Sequence, residues 1–205
     1  MTEEGKFPNE IKLILVGESG TGKTNLITVS IGGKFDINSK SSTAPSFVHK
    51  PVNLGLITYN VYLWDTLGNE AFRSLTRIFM KGSKIVIFVY DITDKHSFNE
   101  LPFWVGKIEE VLGKDPIIGV VGNKIDLVNE EEVSEEEGKK YADSIKAKFR
   151  LTSAKEDADG FVEFIEELVK DYHEKYGDKR KDSVSSKLHL DKDKHKKNKK
   201  KKNCC

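Results

Sequence analysis

The sequence predicts a doubly wound α/β domain, a mostly parallel central sheet covered by helices on both faces. Three observations carry that expectation. Short, β-branched apolar runs alternate with stretches of helical periodicity, the pattern of successive strand–helix units. The runs are nearly continuous in apolar residues, as strands buried on both faces are. Glycine, aspartate or asparagine closes the runs at their carboxyl ends, where such sheets bind ligands.

The elements follow in order. "IKLILVG" (11–17) reads as a buried strand ending in glycine. "NVYLWD" (60–65) and "KIVIFVYD" (84–91) are strands that end in Asp65 and Asp91. "HSFNELPFWVGKIEEVL" (96–112) reads as one helix, with Phe98, Leu101, Val105, Ile108 and Leu112 on its apolar face. "PIIGVVGNK" (116–124) is a further buried strand. "VSEEEGKKYADSIKAK" (133–148) is a helix opened by the capping-box pair Ser134 and Glu137. "FRL" (149–151) is a short strand. "GFVEFIEELVKDYHEKY" (160–176) is a helix with Phe161, Phe164, Ile165 and Leu168 on one face. Periodicity then stops. The expected organisation is an N-terminal extension (1–9), one α/β domain (10–176) and a flexible basic tail (177–205).

Charge is unevenly spread. The chain of 205 residues has a formal net charge of +1, but residues 177–205 hold 12 Lys/Arg against 4 Asp/Glu, which leaves about −7 for the rest. Such a split points the tail at an anionic surface. The two cysteines are Cys204 and Cys205. With no internal thiol for a structural disulfide, a reducing compartment is expected. Neither a signal-peptide run nor a stretch approaching ~18 apolar residues is present in the sequence.

"GESGTGKT" (17–24) satisfies G-x-x-x-x-G-K-[ST] between a strand and a helix, the context this motif needs. Glycines allow main-chain N–H groups to converge on phosphate oxygens. Lys23 brings a positive charge to the outer phosphates, the Thr24 hydroxyl can ligate magnesium, and the next helix points its positive end at the same place. "GNKIDL" (122–127) follows another strand. An ionised carboxylate is a double acceptor, and guanine presents a ring N–H beside an exocyclic amine. Adenine lacks that ring N–H. Asp126 can therefore select guanine, with the stem of Lys124 along the base and Asn123 tying the motif to the phosphate loop. "TSAK" (152–155) can offer the Ala154 N–H to the guanine carbonyl.

"GESGTGKT", "WDTLGNE" (64–70), "NKID" and "SAK" stand in the order and spacing of Ras-superfamily small GTPases, which the chain resembles over about residues 10–175. Within that superfamily "AFRSL" (71–75), "FMKGS" (79–83), "FVYDIT" (88–93), "SFNELPFW" (97–104), Ser19 and the terminal "CC" are similar to Rab proteins. The resemblance implies the three-layer P-loop NTPase fold of small G proteins, bound GTP or GDP with Mg2+, and hydrolysis of GTP. It implies nucleotide contacts from Ser19, Gly20, Thr21, Gly22, Lys23, Thr24, Asn25, Phe35, Ser42, Gly68, Asn123, Lys124, Asp126, Leu127, Ser153, Ala154 and Lys155. Magnesium would be held by Thr24, Ser42 and Asp65, the last usually through water. Lys23, Gly68 and Asn69 would serve hydrolysis. Ser42 takes the switch position by spacing from both sides, with Thr43 one residue away as the alternative. Phe35 takes the place of the aromatic against the guanine, the other reading being a core phenylalanine.

The pattern breaks at two places. "SSTAPSF" (41–47) departs from the usual Rab switch, with Pro45 stiffening the loop. Asn69 replaces the glutamine that orients the attacking water, and Leu67 replaces the usual alanine. Slow intrinsic hydrolysis and a long-lived GTP state are therefore expected. The alternatives are a constitutively GTP-bound binding module and an ATP-using P-loop enzyme, the latter disfavoured by Asp126. "KHKKNKKKKNCC" (194–205) resembles the Rab signal for double geranylgeranylation at Cys204 and Cys205, preceded by 7 Lys. It argues against a nucleic-acid arm. Expected partners are effectors at the switch regions, an exchange factor, an activating protein, the prenylation and membrane-extraction machinery, and the membrane itself. The protein is expected as a monomer on the cytoplasmic face of an intracellular membrane, cycling with the cytosol. "KEDADGFVEFIE" (155–166) nearly matches a calcium loop, but Lys155 stands where its first carboxylate belongs. Trp64 and Trp104 read as packing residues.

Overall fold

A computed structural model of the chain describes residues 9–39, 46–66 and 78–177. Six strands, β1 (Glu10–Val16), β2 (Ser46–Asn53), β3 (Thr58–Asp65), β4 (Ile85–Asp91), β5 (Ile117–Asn123) and β6 (Lys148–Leu151), form one sheet. Their spatial order is β2-β3-β1-β4-β5-β6. β2 runs antiparallel to β3, and every other pairing is parallel. The doubly wound arrangement is the one the alternation of apolar runs demands.

β2 was not legible in sequence, for a physical reason. It is an edge strand, "SFVHKPVN", whose one buried residue is Val52. Edge strands tolerate Pro51, since a missing N–H on the outer side breaks no ladder. β3 shows the opposite case: Tyr59, Val61, Leu63 and Asp65 are buried while the residues between them are not, the period of two of a half-covered strand. All seven residues of β4 are buried.

The helix read over 96–112 is two. Asp94 caps α2 (Lys95–Asn99) by accepting from the His96 N–H at 3.0 Å, and α3 (Leu101–Leu112) opens with Pro102 in its first turn. Proline is favoured there and cannot continue a preceding helix, so the break falls at Glu100. The turn changes which side chain faces inward: Trp104 is buried, and Val105 is only partly so. A 3₁₀ segment, Ile125–Glu130, precedes α4 (Glu135–Ser144). The Ser134 hydroxyl oxygen accepts from the Glu137 N–H as the capping box requires, while the Glu137 carboxylate pairs with Lys95. α4 stops short of 148 because Lys146 turns left-handed (φ 56°) before β6.

One face of the sheet packs Ile14, Val16, Val86, Phe88, Tyr90 and Val120 against Leu101, Trp104, Ile108 and Ala142. On the other face, a Cβ at Gly119 would come within 2.9 Å of the Phe164 ring, which places the helix beginning at 158 against β5. Asp157 caps that helix by accepting from the Gly160 N–H at 3.1 Å. The acidic run 155–166 is thus a helix start, and among the described residues no group of three or more His, Cys, Asp or Glu is placed to hold a metal. The chain divides into two compact units, Met1–Lys170 and Asp171–Cys205. In the second, residues 171–177 are described and helical.

Among the described residues the fully buried Tyr90 hydroxyl meets no hydrogen-bond partner; it is wedged where a Cβ at Gly122 or Gly138 would meet it at 2.6 and 2.3 Å. Burial raises its pKa well above that of a free phenol. An unsatisfied buried hydroxyl is a net liability. Tyr90→Phe is therefore expected to leave stability intact or raise it by about 1 kcal/mol in denaturant unfolding. A loss of that size would show that the hydroxyl is satisfied.

Candidate functional site

The carboxyl ends of β1, β3, β4 and β5 converge on one side of the molecule, and the loops leaving them hold the residues singled out above. β1 runs into Gly17. A Cβ there would lie 2.1 Å from the Val89 carbonyl oxygen, so only glycine lets the loop leave β1 beside β4. At Gly22 (φ 90°) a Cβ would lie 2.3 Å from Asn123 Nδ2. α1 (Lys23–Ser30) begins there without a side-chain cap, which leaves its first-turn N–H groups for an anion. Ser19 and Gly20 are exposed at the mouth of the loop. Asn25 pins the segment after α1 by exchanging two hydrogen bonds with the Asp36 main chain, at 3.0 and 3.2 Å.

Lys23 lies along this loop. Its ammonium donates to the carbonyls of Gly17 (2.9 Å) and Glu18 (2.6 Å), and the residue is 5% exposed. Burial pushes its pKa down to about 8, opposed by the negative charges of Asp65 and Glu18. A cation so poorly solvated favours an arriving anion. The Thr24 hydroxyl donates to Asp65 Oδ2 at 2.7 Å, and Asp65 is buried at the end of β3. A hydroxyl and a carboxylate are the hard oxygen donors that magnesium takes. The donor set fits a magnesium ion completed by other oxygens.

Asn123 joins the two halves. It is buried, its Nδ2 donates to the Thr21 carbonyl at 2.8 Å, and its Oδ1 accepts from the Ala154 N–H at 3.1 Å. The phosphate-type loop and the "TSAK" loop are thereby held on one asparagine. Lys124 follows in the left-handed region (φ 71°), a strained conformation for a residue with a side chain. Its ammonium is held 2.5 Å from Asp91 Oδ2. Asp126 Oδ1 accepts from the Ser153 hydroxyl at 2.5 Å, and Lys155 lies 3.6 Å from Oδ2. Ser153 also accepts the N–H groups of Lys155 and Glu156, each at 3.1 Å. Leu127 is half-buried beside Asp126, and Phe35 is exposed beyond α1. Ser42, Thr43, Leu67, Gly68, Asn69, Cys204 and Cys205 lie outside the described residues.

Two groups at the site were not found by sequence reasoning. Asp91, noted only as a strand end, anchors Lys124 and accepts from both the N–H and the hydroxyl of Thr93 at 2.9 Å. Trp104, taken as packing, donates its indole N–H to Glu18 Oε1 at 3.0 Å. No local signal marks either pairing.

Beside the site the outer face of β2 and β3 carries an aromatic surface. Phe47, 54% exposed, stacks on Trp64 with ring centroids 4.9 Å apart. Tyr62 and Phe79 flank this pair at 6.0 and 6.3 Å, and the Lys12 ammonium lies 4.4 Å from the centre of the Trp64 ring.

A family model described as the Ras family matches residues 12–174. Ras-related protein Rab-21 of Homo sapiens is 39% identical over 159 residues, covering 78% of this chain and 70% of the relative. The Geodia cydonium Rab-21 is 37% identical over 159 residues, covering 78% and 69%. Ras-related protein Rab-22A of Canis lupus familiaris is 38% identical over 146 residues, covering 71% and 75%.

Proposed function

This chain belongs to the Ras family as a Rab-like small GTPase, and from that premise we propose that it is a guanine-nucleotide switch in vesicular trafficking that hydrolyses GTP slowly on its own. The observation that carries the reading is the bridge through Asn123, which holds the 17–24 loop to the "TSAK" loop, whose Ser153 in turn donates to Asp126, a carboxylate of guanine-reading type. The loop 17–24 would grip the phosphates, with Lys23 leaving its carbonyl partners to share its charge with them. Asp126, oriented by Ser153, would accept from the guanine N–H and amine. Ala154, whose N–H now meets Asn123, would turn or share it with the guanine carbonyl. Thr24 and Asp65, with Ser42 as third ligand, would hold magnesium, which neutralises phosphate charge when bound.

The switch itself rests on Ser42 and Gly68, whose ordering by the terminal phosphate would form an effector surface next to Phe47, Trp64 and Phe79. Exchange and activating proteins are the expected regulators. Asn69 favours a second reading, a constitutively GTP-bound binding module without meaningful turnover.

Purified protein is expected to carry GDP or GTP, and unlabelled GTP but not ATP should displace it. Material that stays empty and takes up neither nucleotide in calorimetry would end the proposal.

No helix of the described residues is long and apolar enough to cross a membrane. The tether we infer is the tail: prenyl groups on Cys204 and Cys205, assisted by the lysines at ~1 kcal/mol each near an anionic leaflet. The variant Cys204→Ser, Cys205→Ser is expected to move from the membrane to the soluble fraction. Its persistence on membranes would contradict the tether.

A further inference from the structure

The residue before the serine of the phosphate loop, Glu18, has its side chain turned away from the loop's open mouth and buried. The indole N–H of Trp104, from the middle of α3, donates to its Oε1 at 3.0 Å, across 86 residues of sequence. The same residue's main-chain carbonyl accepts from the Lys23 ammonium at 2.6 Å and from the Thr21 hydroxyl at 3.0 Å. Glu18 is 8% exposed and Trp104 1%, so the pair sits where a hydrogen bond to a charged group is strong. α3 is packed on the sheet through Leu101 and Ile108, which gives the indole a fixed place from which to act.

We propose that Trp104 is a positioning residue for the phosphate loop: its indole N–H fixes the Glu18 side chain, and through it the main-chain carbonyl that seats Lys23. A loop of glycines has little stiffness of its own. Its shape at Glu18 is set from outside, by a side chain carried on α3. Trp104 acts on nucleotide retention while standing outside the cradle. The inference rests on the reading of 17–24 as a phosphate site, and its consequence is expected chiefly at the phosphate end, where the Glu18 carbonyl meets Lys23. Asn123, Asp126 and Ser153 share no hydrogen bond with Trp104 among those described.

The test measures release of a fluorescent GDP analogue and the competitive affinities of GDP and GMP, using the full chain. Wild-type protein must first hold GDP; if it does not, the phosphate-site reading fails, whatever Trp104 does. Trp104→Phe and Glu18→Ala are each expected to speed GDP release by about tenfold, the worth of one buried hydrogen bond to a charged group. Glu18→Gln keeps an acceptor for the indole and is expected to recover most of that loss. The double variant Trp104→Phe, Glu18→Ala should release GDP no faster than the faster single variant. GMP, lacking the phosphate nearest Lys23, should lose little affinity. Equal weakening of GDP and GMP, additive effects in the double variant, or unchanged GDP release would each overturn the inference. Should Trp104→Phe fail to fold, the contrast between Glu18→Ala and Glu18→Gln decides alone: recovery supports the inference, and equal loss refutes it.

Discussion

Asn69→Gln is expected to accelerate single-turnover GTP hydrolysis by the isolated protein on the order of 100-fold. The reasoning begins with the amide. Glutamine at this place orients the attacking water in line with the terminal phosphate. Asparagine carries the same amide on an arm one methylene shorter, a loss of roughly 1.5 Å in reach, and misplacement of about 1 Å can lower a rate on that scale. Asn69→Ala should change the slow rate little, since an amide that cannot reach the water contributes little. The result that would sink this account is a wild-type rate matching that of glutamine-containing relatives and unaltered by Asn69→Ala. If the Asn69→Gln rate does not rise, Leu67 or the "SSTAPSF" loop becomes the element that limits hydrolysis.

Asp126→Asn is expected to weaken GDP binding by about 100- to 1,000-fold and to erase most of the preference for GDP over ADP. Two donors of guanine would meet one carboxylate, and hydrogen bonds to a charged group are worth about 1.5–3 kcal/mol each. The asparagine keeps one acceptor, but it turns an N–H toward a guanine donor. The substitution preserves size, and its oxygen can still accept from Ser153, now 2.5 Å from Asp126 Oδ1. The fold should therefore survive, and circular dichroism with thermal unfolding checks that it does. An unchanged GDP-to-ADP ratio measured by competition would remove Asp126 from base selection.

How much was legible beforehand varied with the kind of residue. The strands 11–17, 84–91 and 116–124 were plain because burial on both faces writes a nearly continuous apolar run. The last helix was plain because Phe161, Phe164, Ile165 and Leu168 repeat at its period, and all four are fully buried. β2 left no such trace: one buried valine in eight residues is the mark of an edge. The joint between α2 and α3 was written locally in Asp94 and Pro102, yet periodicity alone ran the two together. Trp104 reads as a packing residue in the sequence, and it is buried in the structure. That burial hid its polar function, because an indole carries its one donor on a mostly apolar body.

The chemistry of each loop is written in its own short stretch of chain: the glycines and lysine of 17–24, the carboxylate of "NKID", and the asparagine in place of glutamine at position 69. Residues adjacent in the chain set these, since a glycine turn or a cation's place on it depends on immediate neighbours. Which loops meet follows from the fold alone. Asn123 reaches Thr21 across 102 residues, and Trp104 reaches Glu18 across 86. Such pairings depend on where separate strands end in the sheet and on how α3 rests against it, and no short stretch of the chain carries that information.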